Sequence, residues 1–227
     1  MGASADRAGA FFGRRKGKRL RAGQEDVLRT LLPRLQVPFH GLDPLALFPP
    51  RPSAVFLEIG FGGGEHLAAR ARAHPEIGFI GCEPFVNGMA KLLRVVADEG
   101  LDNIRLCDRD AAELLAALPC ASIDQVCLLY PDPWPKRRQR KRRFVSDETA
   151  AVFARVLKPG GEFRFATDID DYAGWTLACL GRSPEFRWTA ERAADWREPW
   201  PDWPGTRYEA KALAEGREPA YLTFERR

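Results

Sequence analysis

Two acids and a glycine cluster stand at spacings suited to a nucleoside-like ligand. Glu58 opens the run Glu58-Ile-Gly60-Phe-Gly62-Gly-Gly64, and Glu83 follows 25 residues after it. Gly60, Gly62 and Gly64 let the backbone turn tightly and approach a ligand with no Cβ in the way. A carboxylate at the end of the next strand can accept hydrogen bonds from both hydroxyls of a ribose, which is the task this spacing sets for Glu83. The dinucleotide fingerprint would need glycine at 65, where the chain has Glu65. A carboxylate at that helix start repels a pyrophosphate and suits an ammonium or sulfonium charge, so S-adenosylmethionine is expected rather than NAD. Asp110, in Cys107-Asp108-Arg109-Asp110-Ala111, has two tasks open to it: capping the following helix, or meeting an adenine amino group.

A second constellation is Tyr130-Pro131-Asp132-Pro133-Trp134-Pro135-Lys136, which runs into seven basic side chains within residues 136–143. Three prolines fix the backbone around one carboxylate and one indole, holding Asp132 rigidly at the mouth of the crevice. Trp134 can stack on a base or cover the end of the sheet. Six more basic residues lie in 14–21; without these 13, the remaining 22 Lys and Arg face 31 Asp and Glu, so the body of the chain is acidic. Concentrated cations on an acidic body point to a polyanion held at a defined place, while residues 14–21 taken alone read equally well as a solvated tail or a targeting signal.

Other chemistries fit poorly. The five cysteines form no C-x-x-C pair and the histidines are only His40, His66 and His74, which supports neither a disulfide framework nor a metal site. No G-x-S-x-G elbow is present. A short-chain dehydrogenase needs Y-x-x-x-K, but Tyr172 is followed four residues later by Thr176, and Tyr208 stands three from Lys211. A non-catalytic RNA-binding module accounts for the basic runs and leaves Glu58, Glu83 and the glycine loop unexplained. An amino-group base methyltransferase commonly has two adjacent prolines and an aromatic residue after its fourth strand, and here Trp134 follows Pro133. No apolar run approaches membrane-spanning length, no signal peptide opens the chain, and no obligate protein partner is called for; the cytoplasm is the expected location.

Positioning these residues requires alternating strands and helices. Residues 1–25 read as a mobile basic arm, and 26–227 as one domain. Residues 26–36 suit a helix interrupted by Pro33, and 38–54 a proline-rich connection. Strands are expected at 55–60, 79–83, 103–107, 123–130, 162–168, 185–189 and 220–225. Helices are expected near 64–74, 85–98, 110–118, 147–157, 170–181 and 207–215, with Lys158-Pro159-Gly160-Gly161 stopping the fourth of them. Such alternation implies an α/β, Rossmann-like, mostly parallel sheet covered on both faces.

FLEIGFGGG, GCEP, LLYPDPWPKRRQRKRR, LKPGG, FATDIDDY and TRYEAKALAEG, in this order, resemble the bacterial tRNA (guanine-N7)-methyltransferase family over about residues 11–225. The resemblance implies a seven-stranded sheet with one antiparallel strand near the C-terminal edge, and methylation of the variable-loop guanine (position 46) of tRNA. It assigns the acids matching Glu58, Glu83, Asp110 and Asp132 to the S-adenosylmethionine site, beside Gly60 and Gly62. It assigns Lys136, Asp168, Thr206, Arg207, Tyr208 and Glu209 to the guanine site, Asp132 to catalysis, and no metal to either. Pro135 stands where some relatives carry His, so a histidine there is dispensable. Trp188, Trp196, Trp200 and Trp203 receive no role from it and are open to a packing role. Guanine N7 has an in-plane lone pair and no proton to lose, so Asp132 is expected to orient and stabilise charge rather than abstract a proton.

Overall fold

A computed structural model describes residues 12–227; residues 1–11 of the expected arm lie outside the described residues. In chain order the helices and strands are α1 (Ala22–Thr30), α2 (Leu32–Leu35), β1 (Ala54–Ile59), α3 (Glu65–Ala73), β2 (Ile77–Cys82), α4 (Val86–Glu99) and β3 (Ile104–Cys107). There follow α5 (Ala111–Ala117), β4 (Ile123–Leu129), α6 (Asp147–Val156), β5 (Leu157–Thr167), α7 (Asp170–Arg182), β6 (Phe186–Trp188), α8 (Ala194–Arg197), α9 (Arg207–Ala214) and β7 (Ala220–Arg226). The boundary expected at residue 25 falls inside α1, and Pro33 sits in the first turn of α2, where its missing N–H costs nothing. Lys158–Gly161 ends α6 as expected but also belongs to β5, whose pairing with β4 shifts register between Ile123 and Gln125.

The seven strands form one sheet in the order β3-β2-β1-β4-β5-β7-β6. β1 to β5 pair in parallel, and β7 runs antiparallel to both β5 and β6. Both faces are covered, so the strands are apolar on both sides: neighbouring residues Phe79 and Ile80 of β2 belong to different core clusters. One cluster packs Leu67, Ala68, Leu92 and Leu93 of α3 and α4 against Phe79 and Ile104. The other packs α5, α6 and α7 on the opposite face, where the Phe153 and Phe163 rings stack 4.6 Å apart. Each such side chain contributes about 1.5–3 kcal/mol on burial, against about 0–1 kcal/mol for an exposed ion pair, so these two layers dominate stability.

The chain leaves β1 toward β2 and β3 and then returns to add β4 on the other side of β1. This reversal opens a crevice beyond the carboxyl ends of the strands, and the candidate site lies there.

Candidate active site

The wall nearest β1 and β2 is built around Glu83. Parallel register brings Ile59 opposite Cys82, so the glycine loop and Glu83 leave the sheet at one level. The Gly60 N–H donates to the Cys82 carbonyl at 2.8 Å, and the Gly62 N–H donates to Glu83 Oε2 at 2.8 Å. Glu83 Oε1 accepts from the Phe85 N–H at 2.9 Å. Gly62 has a left-handed φ of 59°, and a Cβ on Gly88 in α4 would collide with the Gly62 carbonyl oxygen, so loop and helix meet backbone to backbone. The buried Glu83 thus has one backbone donor on each oxygen and, of a carboxylate's roughly four lone-pair positions, about two remain for a ligand. Burial pushes its carboxyl above the ordinary value, while the two N–H donors and the Arg207 charge pull it back.

Gly60, Gly62, Glu83 and Asp110 line a cavity of about 410 Å³ that Asp132, Arg207 and Tyr208 also line, the last two standing against Gly62, where a Cβ would lie 3.2 Å from Arg207 Nη2 and 3.5 Å from the Tyr208 ring. Asp110 fulfils the cap reading, accepting from the Ala112 N–H at 3.0 Å, while also facing the cavity. Phe12, Gly13 and Arg14 form part of the rim. The chain after them is tied to α4: the Val86 N–H donates to the Arg15 carbonyl at 3.0 Å, and Asn87 bonds both the Gly17 N–H and the Lys18 carbonyl at 2.7 Å.

Glu58 is not among the lining residues. Alternation along β1 gives Ile59 to the cavity and turns Glu58 to the opposite face, where its Oε2 lies 2.6 Å from His66 Nδ1 with both residues buried. Its closest chemistry is therefore with α3.

The other wall begins where β4 ends. Tyr130 and Trp134 have φ values of 49° and 42°, a left-handed conformation that is costly for bulky residues, and they bracket Pro131-Asp132-Pro133. Such strain persists only when its surroundings over-determine it. Arg143 supplies much of that determination: its side chain is fully buried, Nε donates to the Pro133 carbonyl at 2.9 Å, and Nη2 pairs with Asp171 at the head of α7. The guanidinium also lies over the rings of Tyr172 at 4.8 Å and Trp175 at 5.2 Å. Asp132 is exposed at the cavity wall.

The basic run is divided in its use. Arg137–Arg142 form a short 3-10 helix. Arg140 bonds Asp171 at 2.8 Å, and Arg142 lines the cavity with its guanidinium over Trp134 at 4.9 Å and Phe12 at 5.6 Å. Lys136, Arg137, Arg138 and Lys141 are exposed, and Lys136 does not reach the cavity.

The last contribution comes from α9. Thr206 caps it, accepting from the Glu209 N–H at 3.1 Å, and the next two residues, Arg207 and Tyr208, face the cavity. Arg207 Nη2 donates to the Tyr208 hydroxyl at 2.9 Å, and Nη1 stands 3.8 Å from Glu65 at the head of α3. Thr206 and Glu209 do not line the cavity, and Asp168 is paired with Arg217 at 2.6 Å outside it. The structure therefore brings together Gly60, Gly62, Glu83, Asp110, Asp132, Arg207 and Tyr208, and leaves Glu58, Lys136, Asp168, Thr206 and Glu209 off the wall. Sequence reasoning missed Arg142 and Arg143, which nothing local distinguishes from their five basic neighbours. Trp200 and Trp203, two of the four tryptophans to which the resemblance gives no role, pack with Tyr221 and Tyr130 in a third apolar cluster.

A family model described as "Putative methyltransferase" matches residues 52–222. The tRNA (guanine-N(7)-)-methyltransferase of Agrobacterium fabrum is 60% identical over 221 residues, covering 96% of this chain and 95% of the relative. That of Nitrobacter winogradskyi is 57% identical over 226 residues, covering 96% and 86%. Among solved structures, the 16S rRNA methyltransferase KamB superposes with a TM-score of 0.58 at 17% identity, covering 78% of this chain and 89% of that one. TrmN from Thermus thermophilus gives 0.52 at 18% identity, covering 81% and 47%. At such identities these two likenesses carry the class I methyltransferase fold alone. The two close relatives, matched over nearly the whole chain, carry more, and the chain belongs to the tRNA (guanine-N(7)-)-methyltransferase family.

Proposed function

We propose that this protein transfers a methyl group from S-adenosylmethionine to N7 of the variable-loop guanine, position 46, of tRNA. The observation that carries the reading is a single cavity lined by the Gly60–Gly62 loop, Glu83 and Asp110, by the rigid turn that carries Asp132, and by Arg207 and Tyr208, which stand beside Gly62. The donor-side residues fit the group: Glu83 keeps acceptor capacity for ribose hydroxyls, Asp110 faces the cavity from the third strand end, and the glycines give close backbone approach. When bound, S-adenosylmethionine supplies a methyl group on a positively charged sulfur. Guanine N7 carries no proton at neutral pH, so no side chain need act as a base to start the reaction. Asp132 acts by orienting the purine and by placing negative potential where positive charge develops on it. Its turn, clamped by Arg143, needs no reorganisation during reaction. The exposed cations at 136–138 and 141 meet the phosphates of the RNA.

The test is to incubate the protein with tRNA and labelled methyl donor, digest the RNA and identify the labelled nucleoside. The expected product is 7-methylguanosine, lost when guanine 46 is replaced by adenine. Label in any other nucleoside, or none, overturns the reading.

A further inference from the structure

The Glu209 carboxylate, matched by resemblance to the guanine site, is already occupied by the protein. Trp203 Nε1 lies 2.8 Å from Oε1 and 2.7 Å from Oε2, the Tyr221 hydroxyl donates to Oε1, and the Thr206 N–H donates to Oε2 at 3.3 Å. Three donors from the tryptophan-rich loop, β7 and the cap of α9 converge on one buried charge that offers about four acceptor positions. A carboxylate so placed joins three pieces of chain and has little capacity left for a ligand.

Trp203 is itself held from its other sides. The His66 ring lies 4.9 Å from it, with His66 bonded to Glu58, and the edges of Trp200 and Tyr221 meet it at 5.3 and 5.8 Å. A continuous series of contacts therefore runs from the end of β1 through α3 and Trp203 to the first turn of α9. The two residues that turn presents, Arg207 and Tyr208, line the cavity.

We infer that Trp203 is a positioning residue: its indole N–H anchors Glu209, and through the reciprocal Thr206–Glu209 cap it sets Arg207 and Tyr208 against the cavity. The inference rests on the methyl-transfer reading for its effect on turnover, but not for its effect on donor binding. An indole that merely covered apolar surface would be replaced without functional loss by another aromatic ring. An indole that satisfies a buried carboxylate would not, because a lost donor leaves the charge short of a partner.

The experiment compares Trp203→Phe, Glu209→Gln and the double variant, reading kcat and KM with tRNA, S-adenosylmethionine affinity by calorimetry, and Tm. Each single change is expected to lower kcat/KM about five- to thirtyfold, with a raised donor KM and weakened donor binding. The double variant should be no worse than the worse single, because both remove one interaction. Parent-like kinetics and donor binding in Trp203→Phe, losses that multiply in the double variant, or a lowered Tm with KM and donor affinity unchanged would each overturn the inference. Should Trp203→Phe fail to fold, Tyr221→Phe removes a different donor from the same carboxylate and must shift donor affinity in the same direction. If the parent methylates no tRNA, the functional reading fails, while the non-additive loss of donor affinity still decides the role of Trp203.

Discussion

The two walls of the cavity reach their geometry by different routes. On the donor side, three strands in parallel register deliver Gly60, Glu83 and the segment before Asp110 to one level, and the bonds that finish the site come from the backbone, the Gly62 and Phe85 N–H groups donating to Glu83. On the acceptor side, Asp132 depends on Arg143 eleven residues on and Asp171 beyond it, while Arg207, which reaches Gly62 on the donor side, depends on a cap secured by Trp203 and Tyr221. A wall made of strand ends can lose one side chain and keep its shape. A wall made of clamped turns transmits each loss to the residue it holds.

The largest effect should follow Asp132→Asn, which keeps size and removes charge from the clamped turn. Turnover is expected to fall by about 10² to 10³, the range for one preorganised electrostatic group, with donor and tRNA affinities changing less. A general base would instead give a parent pH–rate profile that falls on the acid side and becomes flat in the variant. A donor affinity that falls as far as turnover would erase the distinction between the walls.

Glu83→Ala comes next and belongs to the other wall. Loss of hydrogen bonds to a charged acceptor should weaken S-adenosylmethionine binding by about 1.5–3 kcal/mol while leaving tRNA binding nearly intact. Because burial raises the Glu83 carboxyl, its acid form is favoured in the fold. The stability this contributes is present at low pH and is lost as pH rises through the raised value. Donor binding, which needs the ionised acceptor, has the opposite sign: affinity should decline on acidification beginning above the usual glutamate range near 4.3, and the decline should vanish in Glu83→Ala. Calorimetry across pH checks both, and unchanged affinity at neutral pH removes Glu83 from the site.

How far the sequence could be read follows the same division. Most strands and helices were legible to within a few residues, because apolar runs broken by glycine and proline announce themselves locally, but the one-turn α8 was not, and β5 begins five residues before the expected strand. Glu83 was legible because its distance from the glycine loop reflects one strand, one helix and one strand. Glu58 shows where local pattern stops: both faces of a covered parallel sheet are apolar, so alternation says that Ile59 and Glu58 part company but not which of them meets the crevice. The start of α1 at Ala22 was hidden because its first residues are glycine and polar, and Val27 alone in that helix is buried. The division of labour in KRRQRKRR was hidden too, since whether a cation faces solvent or clamps a turn depends on Asp171, Tyr172 and Trp175, which lie 28 to 32 residues beyond Arg143.

That division sets the smallest expected effect and the finest test of the acceptor wall. Lys136, Arg137, Arg138 and Lys141 are exposed, whereas Arg140, Arg142 and Arg143 are engaged with Asp171, Trp134 and the Pro133 carbonyl. If the exposed four meet phosphates, replacing them with glutamine should flatten the slope of log affinity for tRNA against log salt by roughly 0.7 to 0.9 per lost contact. Donor affinity should hold, and turnover at saturating tRNA should stay close to the parent's. Arg143→Gln should do the reverse, leaving the salt slope nearly unchanged while lowering turnover, because it releases the turn that carries Asp132 rather than a phosphate. A parental slope in the fourfold variant would show that these cations are only solvated. A flattened slope in Arg143→Gln would mean that clamp and RNA contact are one function, and that the acceptor wall is assembled by the RNA as much as by the fold.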